Sequence, residues 1–76
     1  MDMDTVRFLD FIYRDELSII LVEPLTKPAK RWAKENLILQ GYQKIDGWIA
    51  IDPQMFEDIR EAMTGAGLTL ENINGK

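Results

Sequence analysis

The sequence has 76 residues and contains neither cysteine nor histidine. Without cysteine no disulfide can stabilise the fold. Without both residue types, zinc sites built from their side chains and Ser-His-Asp or Cys-His catalytic units are excluded. A domain of this length buries only about 60% of the surface that its unfolded chain exposes. Self-association is therefore an expected source of additional stability.

Long apolar runs and a basic leader are also missing. The longest uncharged stretches are Leu37–Gln43 and Thr64–Leu70, far shorter than the roughly 20 residues that span a bilayer. The first four residues, MDMD, are acidic where a secretory leader would be basic. The hydrophobic content of 46% is typical of a folded globule. We expect one cytoplasmic domain over residues 1–76, with residues 1–4 and 72–76 frayed and no membrane association.

The clearest strand signal is Leu17–Glu23. Its side chains are apolar at nearly every position, a pattern typical of a strand buried on both faces. Residues 5–13 leave two alternatives open. Val6–Tyr13 can pair with this strand as a hairpin through residues 14–16, or form a helix capped by Asp4. The β-prone side chains favour a strand, whereas Asp10 in its middle argues against burial on both faces.

A helix is predicted after this strand. Thr26 is a suitable N-cap, Pro28 is tolerated in the first turn and Gly41 ends the helix. Its apolar face consists of Ala29, Trp32, Ala33 and Leu37. We expect Trp32 to belong to the core.

Asp46-Gly47 then predicts a two-residue hairpin turn between Tyr42–Ile45 and Trp48–Asp52. This register sets Ile45 opposite Trp48 and Tyr42 opposite Ile51.

A second helix opens at Asp52-Pro53 as N-cap and first residue, and Gly65 is the predicted stop. Its apolar face comprises Met55, Phe56, Ile59, Ala62 and Met63. A last strand is predicted over Leu68–Glu71.

These elements predict an α+β fold, a small two-layer domain of four or five strands with two helices in the order strand(s)-helix-hairpin-helix-strand. Right-handed crossovers would place both helices on one face of a single sheet. The strand Leu17–Glu23 then needs cover on its other side, either from the N-terminal segment or from a second copy of the chain. We expect a homodimer.

The pattern P-L-T-x-x-A-K-x-W-x-x-E-N, which begins at Pro24 and ends at Asn36, resembles a group of short bacterial open reading frames. A strand containing Trp and Gly, an acidic helix and a closing G-L-T follow in the same order. The resemblance covers about Leu17 to Glu71. It implies this order of elements, and since the group carries no assigned activity it supplies no site residues. Residues 1–16 and the longer stretch before Trp48 depart from the pattern.

The net charge of −4 is unevenly distributed. Two basic and six acidic residues give residues 1–24 a charge of −4, five basic and one acidic residue give residues 25–44 a charge of +4, and residues 45–76 return to −4. Within the positive segment four cations share one stripe of the first helix. We call Lys27, Lys30, Arg31 and Lys34 the basic stripe. It is either a docking surface for anions or an ordinary solvated helix face.

We expect no enzymatic activity, cofactor or metal site. Without histidine and cysteine, acid–base catalysis would depend on Asp, Glu, Lys or Tyr, and Asp46 and Asp52 are explained by the turn and the cap. The favoured function is a small protein-interaction module of the kind encoded by phages and mobile elements as accessory proteins or inhibitors. Its predicted partner-binding residues are the basic stripe with two hairpin aromatics, Tyr42 and Trp48, since Trp and Tyr are common in interaction hot spots. The simpler alternative places Trp48 in the core. The alternative function is nucleic-acid binding by the basic helix 27–38.

Overall fold

The structure is a computed structural model that describes residues 9–74. Its elements are β1 (Phe11–Asp15), β2 (Ile20–Pro24), α1 (Lys27–Ala33) continued by a π-helical turn (Lys34–Ile38), β3 (Lys44–Ile45), β4 (Trp48–Ile51), α2 (Pro53–Gly65) and β5 (Leu70–Asn72). The five strands form one sheet in the order β3-β4-β2-β1-β5. Among these strands of residues 9–74, only β1 and β5 pair in parallel. The predicted α+β class is confirmed.

The ambiguous N-terminal segment is a strand from Phe11 onward, and its predicted start at Val6 lies outside the described residues. Asp10 directly precedes β1 and is not placed within the sheet. Its carboxylate accepts hydrogen bonds from the Thr26 hydroxyl at 2.5 Å and the Thr69 backbone N–H at 3.0 Å. Asp10, whose charge disfavoured a buried strand, therefore connects the start of β1 to α1 and to the residue before β5.

The hairpin between β1 and β2 turns later than predicted, at residues 16–19. The Glu16 N–H donates to the Ile19 carbonyl at 2.9 Å, and the Leu17 N–H donates to the Asp15 carboxylate at 2.9 Å. Leu17 has a φ of 71° and is 85% exposed. The prediction that a strand begins at Leu17 is wrong, because this residue forms the turn.

Burial of β2 on both faces is also wrong. Ile20 and Val22 are buried, whereas Leu21 and Glu23 are only half-buried. The difference arises because both helices pack on the same face of the sheet, as predicted. Trp32 of α1 contacts Phe11 of β1 edge to face, with ring centroids 6.1 Å apart.

The helix-covered face contains one core. Tyr13, two residues after Phe11 on β1, contacts Phe56 of α2 with centroids 4.8 Å apart. Trp32 is partly buried against this core, as expected. The buried residues are Phe11, Ile20, Val22, Ala29, Ala33, Leu37, Ile49, Ile51, Phe56, Ile59, Met63 and Leu68.

The first helix begins as predicted, since the Thr26 side chain accepts from the Ala29 N–H at 3.2 Å. Its continuation widens into a π-helical turn that the sequence did not predict. There the Leu39 N–H donates to the Lys34 carbonyl, five residues back, at 2.9 Å. The chain leaves this turn through Gly41, which has a φ of 102°.

The second hairpin has the predicted turn, with positive φ at both Asp46 and Gly47. Ile45 pairs with Trp48 as expected. The strand β3 is short, and the hydrogen bond from the Ala50 N–H to the Gln43 carbonyl at 2.9 Å continues the pairing beyond it. The second hairpin is therefore fixed in register by its turn.

The second helix starts at the predicted cap, where Asp52 accepts from the Gln54 N–H at 2.8 Å. The helix ends at Gly65, the predicted stop, but Gly65 is the last helical residue and not the C′ residue, because the positive φ of 83° belongs to Gly67. The Gly67 N–H bonds the Thr64 carbonyl and the Leu68 N–H bonds the Met63 carbonyl. These two hydrogen bonds at the C-terminal end of the helix require a residue in the left-handed conformation at position 67.

Two residues assigned to the apolar face of α2 do not belong to it. Met55 is 43% exposed and Ala62 is exposed. The predicted last strand is shifted as well, to Leu70–Asn72. Beyond it, the Asn74 side-chain oxygen accepts from the Asp15 N–H at 2.7 Å. Residues 72–74 are thus bonded to β1 instead of being frayed.

Candidate functional site

The basic stripe lies on α1 and the first residue of the π-helical turn. All four of its side chains are exposed: Lys27, Lys30, Arg31 and Lys34. None of the four forms an ion pair among those found in residues 9–74. The stripe is therefore a free cationic surface on this part of the chain.

A cleft of about 560 Å³ runs along one side of the basic stripe, between the helix and the second hairpin. Its polar rim includes Lys30 and Lys34 from the helix and Lys44 from β3. Its apolar floor includes Ala33 and Ile49, both buried. The remaining lining residues are Glu23, Pro24, Ile38 and Gly47. We call this feature the basic cleft.

The register of the second hairpin brings Lys44 to the helix. Lys44 pairs with Ile49, whose side chain is buried beneath the helices, so Lys44 points to the helix-covered face. The sequence places Lys44 in the positive segment but does not predict that it joins the stripe. The Asp46-Gly47 turn was the available signal, since a two-residue turn fixes residue 44 opposite residue 49.

The π-helical turn shapes the far end of the basic cleft. In a π turn residues five apart become neighbours along the helix. Ile38, five residues after Ala33, is therefore its neighbour on the side of the helix that lines the cleft. Lys34 lies one helical turn after Lys30 on the same side. Single π turns are frequent at functional sites, and this one carries two of the cleft's lining residues.

Known proteins and structures supply no relative of this chain. No family model, curated protein or solved structure matches this chain. The resemblance to short bacterial open reading frames therefore stays a prediction. Among residues 9–74, no helix is both long and apolar enough to cross a membrane.

Trp48 lies on the other face of the sheet and is half-buried. The guanidinium carbon of Arg14 lies 5.6 Å from its ring centroid, a distance that allows a cation–π interaction. Arg14 belongs to β1 and Trp48 to β4, so the arginine side chain reaches across β2. The alternative that places Trp48 in the core is therefore wrong.

Tyr42 does not share a surface with Trp48. It is partly buried against the core beneath the helices and borders a shallow cleft with Asn36, Gln40 and Ile59. The two hairpin aromatics thus lie on opposite sides of the sheet and do not form one hot spot. Of the predicted partner-binding residues, the structure brings Lys30 and Lys34 together with Lys44.

Three acids of the described region have structural roles. Asp10 and Asp52 cap helices or bind backbone N–H groups, and Asp15 closes the first hairpin. Within residues 9–74 no group of three acids is arranged to hold a metal ion. The arrangement that remains is a set of exposed ammonium groups above an apolar floor, which can bind an anion that also carries an apolar group.

Proposed function

We propose that this chain is a small non-enzymatic protein-interaction module that docks an acidic segment of a partner protein in the basic cleft. The observation that carries the proposal is the convergence of Lys44 with Lys30 and Lys34 above Ala33 and Ile49. In a chain of net charge −4, this local reversal of sign favours an acidic partner surface.

The apolar floor specifies the partner segment further. Its acidic side chains would contact the three lysines, and one apolar side chain would pack on Ala33 and Ile49. The apolar contact supplies most of the binding free energy, whereas the charges at the rim contribute mainly to association rate and orientation. Lys27 and Arg31, on the outer part of the basic stripe, add longer-range attraction.

A protein partner is favoured over the alternative, nucleic acid. None of the described residues that line the basic cleft is aromatic, whereas single-stranded nucleic acid is usually held by stacking of bases on aromatic rings. The long-range field of a chain with net charge −4 also opposes the approach of a run of phosphates.

A cytoplasmic location and a role as a phage or mobile-element accessory protein or inhibitor belong to the same proposal. The lack of cysteine supports the location. The role as an accessory protein or inhibitor rests on analogy with small, acidic, cysteine-free proteins.

A crosslinked pull-down with three forms of the full chain tests the proposal. The forms are the wild type, the cleft variant Lys30→Glu/Lys34→Glu/Lys44→Glu, and the control Lys27→Glu/Arg31→Glu, which reverses charges on the same helix outside the cleft. We expect one discrete protein on the wild type and the control and its loss from the cleft variant. A partner retained equally by all three forms would contradict docking in the cleft. Nuclease-sensitive retention would instead support nucleic-acid binding.

A further inference from the structure

The strand β3 stands first in the order of the sheet, so one of its two backbone edges pairs with no strand of residues 9–74. This edge adjoins the basic cleft, since Lys44 belongs to the strand and lines the cleft. Gln43, Lys44, Ile45 and Asp46 are all exposed. The edge of the sheet and the basic cleft therefore form one accessible surface.

The register of the second hairpin fixes which backbone groups face outward at this edge. Antiparallel strands alternate between residue pairs that are joined by hydrogen bonds and residue pairs that are not. The Ala50 N–H donates to the Gln43 carbonyl at 2.9 Å, so these two residues form a bonded pair. The next pair, Lys44 and Ile49, is therefore not bonded. The N–H and C=O of Lys44 point away from β4, toward the unpaired edge.

We propose that the acidic partner segment binds at this edge in an extended conformation, as an additional strand beside β3. The inference rests on the proposed function, because it takes the basic cleft as the binding site, and it adds how the segment is recognised. The backbone of the segment would form hydrogen bonds with the N–H and C=O of Lys44. Strand addition of this kind obtains affinity from main-chain hydrogen bonds and specificity from alternate side chains.

The alternation of side chains along a strand specifies the sequence of the segment. Successive side chains of an added strand point to opposite faces of the sheet. On the helix-covered face they would meet the ammonium groups of Lys30, Lys34 and Lys44. On the other face they would lie beside Ile45, which is 48% exposed. The positions that face the cleft are therefore expected to be acidic, apart from the one apolar residue that packs on its floor, and the positions between them apolar.

The opposite edge of the sheet has the wrong charge for an acidic segment. It belongs to β5, where the Leu70 N–H faces outward because alternate residues of the strand bond to β1. Glu71 lies on this strand, and Glu61 lines the cleft beside it. Arg60 of that cleft is paired with Glu57 at 2.8 Å. Charge complementarity therefore assigns the acidic segment to β3, and β5 provides an internal control.

Peptide titrations of Lys44→Ala and Lys44→Pro test this mode of binding. The probe is a peptide of alternating glutamate and leucine whose central glutamate is replaced by leucine. Both variants lose the same ammonium group, but only proline also lacks the backbone N–H, and proline is tolerated where the N–H of an edge strand faces solvent. We expect Lys44→Pro to bind about three- to tenfold more weakly than Lys44→Ala, the effect of one lost hydrogen bond. Equal affinities of the two folded variants would overturn the proposal.

The complex of the wild-type chain provides a second measurement if Lys44→Pro fails to fold. In ¹⁵N-edited spectra the Lys44 amide hydrogen should show nuclear Overhauser effects to backbone hydrogens of the unlabelled peptide. The Leu70 amide hydrogen, at the other edge, should show none. Effects from Lys44 to peptide side chains alone, or equal effects at Leu70, would overturn the extended mode of binding.

Failure of this proposal and failure of the proposed function give different results. A peptide that binds the wild type, is lost from the cleft variant Lys30→Glu/Lys34→Glu/Lys44→Glu and shows no backbone contact with Lys44 would overturn the extended mode alone. A peptide that does not bind the wild type, or that binds the cleft variant equally well, would contradict the proposed function and the extended mode with it.

Discussion

The Thr26 hydroxyl donates a 2.5 Å hydrogen bond to the Asp10 carboxylate, and the same hydroxyl oxygen accepts from the Ala29 N–H at 3.2 Å. One side chain therefore caps α1 and fastens it to the residue before β1. Because α1 carries the basic stripe, this contact sets the position of the cations relative to the sheet. The basic cleft depends on that placement.

Replacing Asp10 should destabilise the fold by more than an ordinary surface substitution does. Asp10→Ala removes the acceptor for both Thr26 and the Thr69 N–H. Hydrogen bonds to a charged group contribute about 1.5–3 kcal/mol, so we expect the free energy of unfolding to fall by about 2 kcal/mol. Urea denaturation measures this free energy. Asp58→Ala, which removes the same charge from the exposed side of α2, should change it by less than about 0.5 kcal/mol. Equal effects of the two substitutions would contradict this role of Asp10.

Two glycines near the end of α2 should respond to alanine in opposite directions. Gly67 has a φ of 83° with open space around its missing Cβ, so Gly67→Ala should cost about 1 kcal/mol through backbone strain alone. Gly65 is helical and equally uncrowded. Gly65→Ala should raise the free energy of unfolding by about 0.5–1 kcal/mol, because alanine loses less conformational entropy on folding. Thermal unfolding of both variants checks this, and the same sign for both would refute it.

Leu17 is a strained position whose replacement should stabilise the first hairpin. It has a φ of 71° and is 85% exposed, so its side chain contributes little packing. Leu17→Gly should raise the free energy of unfolding by about 0.5–1 kcal/mol, since the left-handed conformation costs a branched residue about 1–2 kcal/mol and the added freedom of glycine in the unfolded chain offsets part of the gain.

The control for this prediction is Leu39→Gly. Leu39 is also exposed, at 68%, but has a φ of −69°. Glycine there should lower the free energy of unfolding by up to about 1 kcal/mol. Denaturant midpoints of the two variants decide the question, and a loss of stability in Leu17→Gly would show that its turn is not strained.

Local signals predicted much of the fold. The caps at Thr26 and Asp52 and the turn at Asp46-Gly47 were confirmed because each depends on a few adjacent residues. The errors have physical causes that a single sequence conceals. The pattern of Leu17–Glu23 predicts a strand buried on both faces, yet its apolar side chains also occupy a turn at Leu17 and, at Leu21, a sheet face that no helix of residues 9–74 covers.

The candidate site was predicted only in part. The basic stripe follows from helical spacing, whereas its association with Lys44 depends on how the second hairpin lies against α1. The π-helical turn was not predicted, since nothing in the order of Lys34–Ile38 distinguishes it from an α-helix. The parallel pairing of β5 with β1 joins residues 59 positions apart at Asp15 and Asn74, a separation that local patterns do not reach.

The central claim is that the basic cleft binds an acidic, partly apolar protein segment. The direct measurement is a titration of ¹⁵N-labelled protein with a synthetic acidic peptide of alternating glutamate and leucine, followed by amide chemical shifts. We expect saturable shifts at the amides of Lys30, Ala33, Lys34, Lys44 and Ile49. The Lys30→Glu/Lys34→Glu/Lys44→Glu variant should bind about tenfold more weakly than the Lys27→Glu/Arg31→Glu control, because its glutamates lie against those of the peptide and like charges in contact repel. Three results would contradict the claim: shifts confined to the sheet face opposite the helices, equal weakening of the two variants, or stronger binding of oligothymidylate than of the peptide.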